Sequence, residues 1–345
     1  MKWVVTCVCQ SVLLLLAVVV VVAGAESREI PKDTLPADLV GRKSPAGLKR
    51  PATELGVDKL LADRVALGRR LFFDPVLSRD GSLACASCHL PSHGFADSRS
   101  LSIGINQARG LRNAPSLFNV AMGRSFFWDG RAGSLEEQVK FPIENPRELG
   151  SKLDNVVSRL KSDAGYLREF GRVFPDGVTA GNLARSIADF ERTLLLGNSR
   201  VDRFRGGDAA ALNDAQRQGL WLFESRGHCW RCHSGPNFTD ERFHNTGVIA
   251  SGSGGDVGRM SVTRRVGDRG RFKTPTLRGV SRTAPYMHDG SVKTLREVVE
   301  FYNRGGVKRA GVVVEGLDPL MRPLGLDEAE VGFLVEFLKA LDGQW

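Results

Sequence analysis

Two short segments of the sequence repeat one pattern of reactive side chains. They read Cys85-Ala-Ser-Cys88-His89 and Cys229-Trp-Arg-Cys232-His233. Two thiols at this spacing can add to the two vinyl groups of a haem, and the histidine that follows can bind the haem iron. Each segment therefore predicts one covalently attached c-type haem, with His89 and His233 as iron ligands.

Two other uses of these cysteines explain less. In an exported chain the four thiols could form two disulfides, and together they could also hold a structural zinc ion. A zinc site would need the two pairs to meet, although about 140 residues of chain separate them. Neither use accounts for a histidine directly after each pair, so the sequence favours two c-type haems.

The first residues predict export. A basic residue precedes an apolar run from Val12 to Val22, and Ala23-Gly24-Ala25 follows. A basic start, an apolar stretch and small residues at a cleavage site define a signal peptide, predicted here as residues 1–25. An uncleaved anchor is the alternative, because the apolar stretch counted from Trp3 is about long enough to span a bilayer. We expect a periplasmic protein, with residues 26–56, rich in proline, glycine and charge, as a linker or an extended arm.

Length and charge narrow the classes of partner. The chain has 345 residues, 42% of them hydrophobic and 25% charged, and a formal net charge of +9. This length fits two domains of ordinary globular composition. A basic protein can bind nucleic acid, an anionic membrane or an acidic protein. Export and haem together argue against nucleic acid, and the charge is compatible with an acidic exported protein as partner.

An internal repeat surrounds the two haem motifs. A helical pattern from residue 57 to Asp74 contains Gly68-x-x-Leu71-Phe72 ahead of the first motif. A second helical stretch, 215–224, contains Gly219-x-x-Leu222-Phe223 ahead of the second motif. Behind the motifs the repeat continues at a constant offset of 160 residues. It matches Pro115, Asp129, Gly130, Leu135 and Val139 with Pro275, Asp289, Gly290, Leu295 and Val299.

The repeat predicts a mainly α fold. Its two cytochrome c-type domains, residues 57–198 and 199–345, would be related by internal duplication and would each carry one covalent haem. A short helix is expected behind each motif, at 134–141 and at 293–302. The motifs themselves are 144 residues apart, so 16 additional residues lie in the stretch 240–273. This stretch is dense in glycine and arginine and is predicted to be an inserted surface loop.

The register of the repeat pairs Pro142 with Tyr302. If this position faces the iron on the side opposite the motif histidine, the two haems differ. Proline cannot bind iron, so the first iron would be open to a small molecule, whereas a tyrosine phenolate could cap the second. Tyr302 could equally be a helix residue that packs its ring. The competing ligands for the second iron are Met287, His288, Met260 and His244.

At this point the sequence resembles the bacterial dihaem cytochrome c peroxidases and the related MauG-type enzymes, from about Val57 to Leu341. Besides the haem motifs, the resemblance rests on four segments. They are Arg112-Asn113-Ala114-Pro115-Ser116-Leu117, Phe127-Trp128-Asp129-Gly130-Arg131, Pro275-Thr276-Leu277-Arg278 and Ala284-Pro285-Tyr286-Met287-His288-Asp289-Gly290. The resemblance implies that hydrogen peroxide reacts at the first haem.

The resemblance also implies roles for single residues. Glu148, six residues beyond Pro142, matches a glutamate that acts as general acid–base on peroxide. Gln138 matches a glutamine of the same pocket, and Trp128 matches a tryptophan that relays electrons between the haems. Taken alone, Glu148 would be a surface charge and Trp128 a core tryptophan.

A calcium site is implied in the same way. Asn113, Thr283 and Pro285 match positions that hold one calcium ion between the domains. Their oxygen atoms are ligands that this hard cation prefers.

Two positions differ from the cytochrome-using peroxidases, and both differences favour the MauG-type branch. In the peroxidases that take electrons from a small cytochrome, a histidine caps the first haem, and this chain has Ile105 at that position. A methionine caps their second haem, and this chain has Tyr302 there. An anionic oxygen ligand lowers the potential of the haem, whereas a thioether raises it. The resemblance thus implies peroxide-driven oxidation of a side chain, for which tryptophan is the known case, on an exported partner protein. The methanobactin-associated branch, which forms kynurenine, belongs to this type.

Two alternatives remain open at this stage. One is a cytochrome c peroxidase that takes electrons from a small cytochrome, and the other is a dihaem electron carrier without enzymatic activity. The exit route for electrons is also open. MauG has a tryptophan two residues before the second motif, where this chain has Gly227, and Trp230 or Trp221 could substitute.

Overall fold

A computed structural model describes residue 48 and residues 59–248, 255–306 and 314–343. The predicted signal peptide, 1–25, lies outside the described residues, and so does the predicted linker, 26–56, except for Leu48. Within the described ranges no helix combines the length and the apolar character needed to cross a membrane.

The fold is mainly α-helical. The helices in chain order are α1 (Lys59–Phe73), α2 (Leu135–Glu144), α3 (Leu153–Ser162), α4 (Ala164–Val173), α5 (Ala180–Glu191), α6 (Arg200–Arg205), α7 (Asp214–Glu224), α8 (Met260–Thr263), α9 (Leu295–Asn303) and α10 (Glu328–Lys339). Two short strands, β1 (Phe243–His244) and β2 (Phe272–Lys273), pair antiparallel with Phe243 opposite Lys273. The two predicted helices ahead of the haem motifs are confirmed by α1 and α7.

A glycine lies at the crossing of two helices in each half of the chain. At Gly68 of α1 an added Cβ would lie 1.8 Å from the carbonyl oxygen of Ser186 in α5. At Gly219 of α7 it would lie 2.0 Å from the carbonyl oxygen of Phe333 in α10. Because no side chain fits at these distances, glycine is required for the close approach of the two backbones.

The buried hydrophobic side chains form two clusters. The first runs from Leu67 to Leu196 along the chain and centres on the crossing of α1 with α5. The second runs from Val201 to Leu341 and centres on the crossing of α7 with α10. Each cluster includes a cysteine of the nearby haem motif among the side chains packed against it, so each motif lies at the edge of its own core.

Local structure recurs at the offset of 160 residues. Ser134 caps α2 by accepting a hydrogen bond from the amide of Glu137, and Thr294 caps α9 in the same way with Glu297. The loops ahead of both helices also contain equivalent backbone bridges, between residues 126 and 132 and between residues 286 and 292. Equal sequence spacing therefore corresponds to equal local structure in the two halves.

The predicted ends of these two short helices need correction. The first helix continues to Glu144, beyond the expected end at residue 141, with Pro142 inside its last turn. Proline is tolerated there because it removes only one hydrogen bond, and the amide of Asn145 still bonds to the carbonyl of Phe141 at 2.9 Å. The second helix begins at Leu295 rather than at 293, since Thr294 is its cap.

The inserted stretch 240–273 is more than a surface loop. Asp256 accepts hydrogen bonds at 2.5 and 2.8 Å from the guanidinium of Arg112 in the first half. Arg259 donates to the carbonyl oxygens of Asp129 and Gly130 at 2.7 and 2.8 Å. The described part of the insertion is thus anchored on the first half, which spacing alone could not predict.

Candidate haem and peroxide sites

The first haem motif forms a tight turn that fixes its histidine. Cys85–Ser87 is a single 3₁₀ turn, and the Nδ1 atom of His89 lies 2.9 Å from the carbonyl oxygen of Phe95. A carbonyl can only accept, so Nδ1 carries the hydrogen and Nε2 keeps its lone pair. This is the tautomer in which histidine binds a metal through Nε2.

The second motif repeats this arrangement. Cys229–Arg231 forms the same turn, and Nδ1 of His233 lies 3.0 Å from the carbonyl oxygen of Phe238. Burial lowers the pKa of both His89 and His233, which favours the neutral form that can bind iron. In both motifs the neutral imidazole is therefore favoured, with Nε2 available to bind a metal.

The alternative uses of the cysteines do not fit the structure. All four thiols are free. The described residues form one cluster of potential metal ligands, Cys232, Asp240 and His244, and it contains only one of the four thiols. The two cysteine pairs therefore do not meet in a zinc site. Burial raises the pKa of Cys229 to about 12, as expected for a thiol that faces apolar surroundings.

An apolar cavity of about 340 Å³ adjoins the second motif and extends along the junction of the two halves. Cys229, Cys232 and His233 line it together with apolar side chains of α7, α9 and α10. An apolar space beside two thiols and a neutral imidazole is the surrounding that a covalently bound haem requires. The residues of the second site thus fit the predicted cofactor.

Tyr302 of α9 lines this same cavity. Burial, followed by the nearby Cys232 and Cys229 thiols, raises the pKa of its phenol, while a hydrogen bond with Thr246 opposes that shift. A phenolate at this place therefore needs a cation beside it, and ferric iron would supply one.

The competing ligands differ in their availability. Both ring nitrogens of His244 lie within hydrogen-bond distance of carboxylates, Asp240 at 2.9 Å and Asp318 at 2.6 Å. The ring of His288 stacks on Phe272 with centroids 3.6 Å apart. Met287 lines the cavity, and so does Met321, which sequence reasoning missed. Met260 lies in α8 within the insertion.

The face of α2 that corresponds to the Tyr302 face of α9 carries Gln138 and Pro142. These two half-buried residues lie four positions apart, beside the buried stripe of Leu135, Val139 and Ile143. In α9 the equivalent positions are Val298 and Tyr302, and both line the cavity at the second motif. The first half therefore has a side chain that cannot bind iron where the second half has a tyrosine.

Glu148 lies in the turn that follows α2. Its Oε1 accepts a hydrogen bond of 2.6 Å from Nδ2 of Asn145. Burial raises the pKa of the carboxyl, while this bond and the charge of Arg131 oppose the rise. Burial is the main cause that raises the pKa of the Cys85 and Cys88 thiols, and the charge of Glu148 adds to the rise, so the carboxyl is close to the first motif.

Two neighbours of Glu148 were not identified from the sequence. Arg131 lies 3.4 Å above the ring of Phe127 and pairs with Asp129 at 3.0 Å. Asn145 also accepts a bond from the amide of Arg147, which makes an Asx turn. The dipeptide Asn145-Pro146 was a turn signal that could have indicated this role.

Ile105 packs beneath the same turn. Its side chain is 1% exposed, and its amide donates to the carbonyl of Glu148 at 3.0 Å. An added Cβ on Gly150 would lie 2.2 Å from Cδ1 of Ile105, so the contact is tight. The position that carries a capping histidine in the cytochrome-using peroxidases is thus a packed apolar contact in this chain.

Trp128 makes one hydrogen bond within the first half and one to the second half. Its indole Nε1 donates to the carbonyl of Asn113 at 2.9 Å, and its own carbonyl accepts from the amide of Lys273 at 2.7 Å. The side chain also lines the cavity at the second motif. It therefore contacts both halves at once.

The three residues of the implied calcium site lie along the same cavity. Asn113 is 5% exposed, and its Nδ2 donates to the carbonyls of Arg99 and Ser100. Thr283 donates to the carbonyl of Val280 at 3.1 Å, and Pro285 can offer only its carbonyl oxygen. Their oxygens are of the type that calcium prefers, so the donor set fits the ion.

Glu191 is a buried carboxyl that no sequence pattern indicated. It ends α5, its side chain is 5% exposed in the core, and its Oε2 has no hydrogen-bond partner among the described residues. Burial raises its pKa to about 8, although the charge of Arg192 opposes the rise. At neutral pH the carboxyl is therefore largely protonated.

We expect Glu191→Gln to remove part of the pH dependence of stability. Because the folded-state pKa is raised, the group stabilises the fold below its ordinary value of 4.5 and loses that contribution as the pH rises through about 8. Over this window the free energy of unfolding of the unaltered protein should fall by up to a few kcal/mol relative to the variant. Thermal unfolding across the window measures the difference. Glu328→Gln, at a side chain 84% exposed, is the control, and parallel curves for all three proteins would contradict the expectation.

Two family models match separate parts of the chain. The family model for di-haem cytochrome c peroxidase matches residues 62–210, and a model for RoxA-like, cytochrome c-like proteins matches residues 271–307. The methylamine utilization protein MauG of Methylorubrum extorquens is 40% identical over 83% of this chain and 80% of its own length. The cytochrome c551 peroxidase of Nitrosomonas europaea is 38% identical over 82% of this chain and 80% of its own length.

A solved structure is similar over nearly the whole chain. It is a MauG-like protein associated with microbial copper homeostasis, with a TM-score of 0.77 and 30% identity over 93% of this chain and 96% of that one. The fold is thus the helical, cytochrome c-like fold of this class of haem protein. The chain belongs to the dihaem cytochrome c peroxidase and MauG family, whose members are haem-dependent oxidoreductases that act with peroxide.

Proposed function

We propose that this protein uses hydrogen peroxide to oxidise a tryptophan side chain of an exported partner protein, as MauG-type enzymes do. The observation that carries the proposal is the location of Tyr302. It lies on α9 in the cavity of the second motif, at the position equivalent to Pro142 of α2. The protein would act in the periplasm, after removal of residues 1–25.

The cofactors follow from the motifs. Residues 57–198 and 199–345 would each hold one c-type haem through Cys85 and Cys88 or through Cys229 and Cys232, with His89 and His233 as ligands. The bound haems supply iron that reacts with peroxide and stores its oxidising equivalents. Asn113, Thr283 and Pro285 would hold calcium at the junction of the halves.

Glu148 supplies the proton chemistry in this proposal. Its Oε1 is held by Asn145, so Oε2 is the atom that takes a proton from peroxide and returns it to the departing oxygen. A carboxyl with a raised pKa is suited to both steps near neutral pH. Gln138 lies one helical turn before Pro142 and would orient the substrate there.

Trp128 and Tyr302 determine where the oxidising equivalents go. Trp128 contacts both halves and would carry electrons between the two sites. Tyr302, as an anionic ligand, would lower the potential of the second haem, which suits a strongly oxidised state better than the acceptance of electrons from a small cytochrome. The packed Ile105 fits this proposal, since it leaves the first site without a capping histidine.

The second candidate is a peroxidase that draws electrons from a small cytochrome. It is favoured by relatives of similar identity, such as the cytochrome c551 peroxidases of Nitrosomonas europaea and Pseudomonas aeruginosa, at 38% and 35%. Identity alone does not separate the two branches, because MauG proteins match at 40% and 34%. The choice therefore depends on the ligand at position 302.

The test uses the purified holoprotein. Mass spectrometry after acid–acetone extraction should show two haems still attached, and the protein should not turn over reduced small cytochrome c with hydrogen peroxide. A variant with Cys229→Ser and Cys232→Ser should retain one haem and serves as the control. Sustained oxidation of the cytochrome would favour the second candidate, and a single attached haem would contradict the assignment of both motifs.

A further inference from the structure

The insertion presents an arginine-rich surface to solvent. We call residues 258–271 the arginine platform. Four of its arginines are exposed, namely Arg264, Arg265, Arg269 and Arg271. The platform also has two exposed apolar side chains, Val262 at 38%, two residues before Arg264, and Val266 at 74%, directly after Arg265. Asp268 is the one acidic residue of the platform, so the net charge of the platform is strongly positive.

Most of this charge is not neutralised locally. Asp268 lies 3.5 Å from Arg271 and also accepts a hydrogen bond from Thr263. Among the residues that the structure describes, no carboxylate pairs with Arg264, Arg265 or Arg269. Three exposed guanidiniums are therefore available to a partner.

The backbone holds the platform in one shape. The amide of Arg259 donates to the carbonyl of Arg271 at 2.8 Å, and the amide of Gly270 donates to that of Val257 at 3.0 Å. The hydroxyl of Thr263 closes the turn between them by bonding to Asp268 at 2.7 Å. A surface that is ordered in advance loses less conformational entropy when a partner binds.

The platform is continuous with the loop that carries Trp128. Arg259 bonds to the carbonyls of Asp129 and Gly130 and lies 4.4 Å above the ring of Phe243. An added Cβ on Gly130 would lie 2.3 Å from that ring, so the loop and the platform are tightly packed. Beyond the platform, Lys273 bonds to the carbonyl of Trp128 itself.

We propose that the arginine platform is the docking surface for an acidic face of the exported partner protein. This inference takes one element from the proposed function, namely that the protein acts on a partner protein. The unpaired guanidiniums attract a face rich in carboxylates and raise the rate of encounter, while Val262 and Val266 add apolar contact. A protein bound there lies over the loop that carries Trp128. Electrons could then pass between the partner and this loop, which is the route that the sequence did not determine.

The test measures binding of an acidic probe to the holoprotein. The probe is a fluorescein-labelled peptide of ten glutamates, followed by fluorescence anisotropy at low salt. Arg264→Glu with Arg265→Glu should weaken binding about tenfold or more, because two attractive charges become repulsive. Arg168→Glu with Arg185→Glu makes the same charge change at exposed positions of α4 and α5, and it should weaken binding only about twofold. Haem absorbance and the thermal midpoint confirm that both variants are folded.

A second measurement locates the probe. Hydrogen exchange followed by mass spectrometry should show protection in residues 258–271 when the peptide is bound. Equal weakening by the two double variants, or protection elsewhere, would overturn the proposal, since binding would then reflect net charge alone. Neither measurement depends on peroxide. If the protein proved to use a small cytochrome, the docking result would still stand, so the two proposals fail separately.

Discussion

Glu148→Gln should slow the reaction of the first haem with hydrogen peroxide by about a hundredfold or more. Glutamine keeps the size of the side chain and can still accept the hydrogen bond from Asn145, which measures 2.6 Å here. What it loses is the ability to take up and return a proton. Stopped-flow absorbance of the holoprotein after mixing with peroxide gives the rate.

The same measurement has an internal check in its pH dependence. In the proposed mechanism the base form of Glu148 takes the first proton, so the rate should fall as the pH drops through the pKa of this carboxyl. Burial raises that pKa, which moves the fall toward neutral pH, and the variant should lack it. Glu144→Gln, at the exposed last residue of α2, is the control. An unchanged rate in Glu148→Gln would mean that Glu148 is an ordinary half-buried charge without a role in the reaction with peroxide.

Tyr302→Met should raise the reduction potential of the second haem and abolish oxidation of the partner protein. If Tyr302 binds the iron as proposed, the change replaces an anionic oxygen ligand with a neutral thioether, which favours reduced iron. Peroxide should still react at the first haem, because α2 and Glu148 are untouched. Redox titration followed by absorbance measures the potential, and the low-spin signal in electron paramagnetic resonance reports the ligand.

Tyr286→Phe provides the matched control for that variant. Tyr286 lines the same cavity, but its hydroxyl bonds to the carbonyl of Val280 at 3.1 Å and it lies on the loop ahead of α9. Its loss should leave the potential unchanged. If Tyr302→Met left both the potential and the low-spin signal as they were, the ligand would be elsewhere, with Met287 and Met321 the next residues to test. The cytochrome-using peroxidase would then become the better proposal.

The parts of the fold that the sequence predicted are those with a local physical cause. Gly68 and Gly219 occupy equivalent places because two backbones can touch only where a side chain is missing. The haem motifs fix their own turns, and both short helices lie where the repeat placed them, although their caps, Ser134 and Thr294, were not predicted. The constant offset of 160 residues therefore sufficed to align the positions of the first half with those of the second.

The parts that escaped prediction depend on contacts between distant segments. Arg131 acts on Glu148 only because the loop of Phe127 folds beside the end of α2. Burial of Glu191 depends on the whole first core, and no pattern near it in the sequence indicates a buried carboxyl. The anchoring of the insertion rests on the pair of Arg112 with Asp256, which lie 144 residues apart.

The two helix crossings also bear on the order in which the chain can fold. Everything that closes the first core, from α1 to α5, precedes α6 in the chain, and the second motif comes later still. Because synthesis and the proposed export both start at the N-terminus, the first crossing can form before Cys229 has emerged. Each half closes by joining segments that are distant in sequence, and such contacts form slowly. The first core can therefore close while the segments of the second core are still emerging, so the two slow steps follow one another.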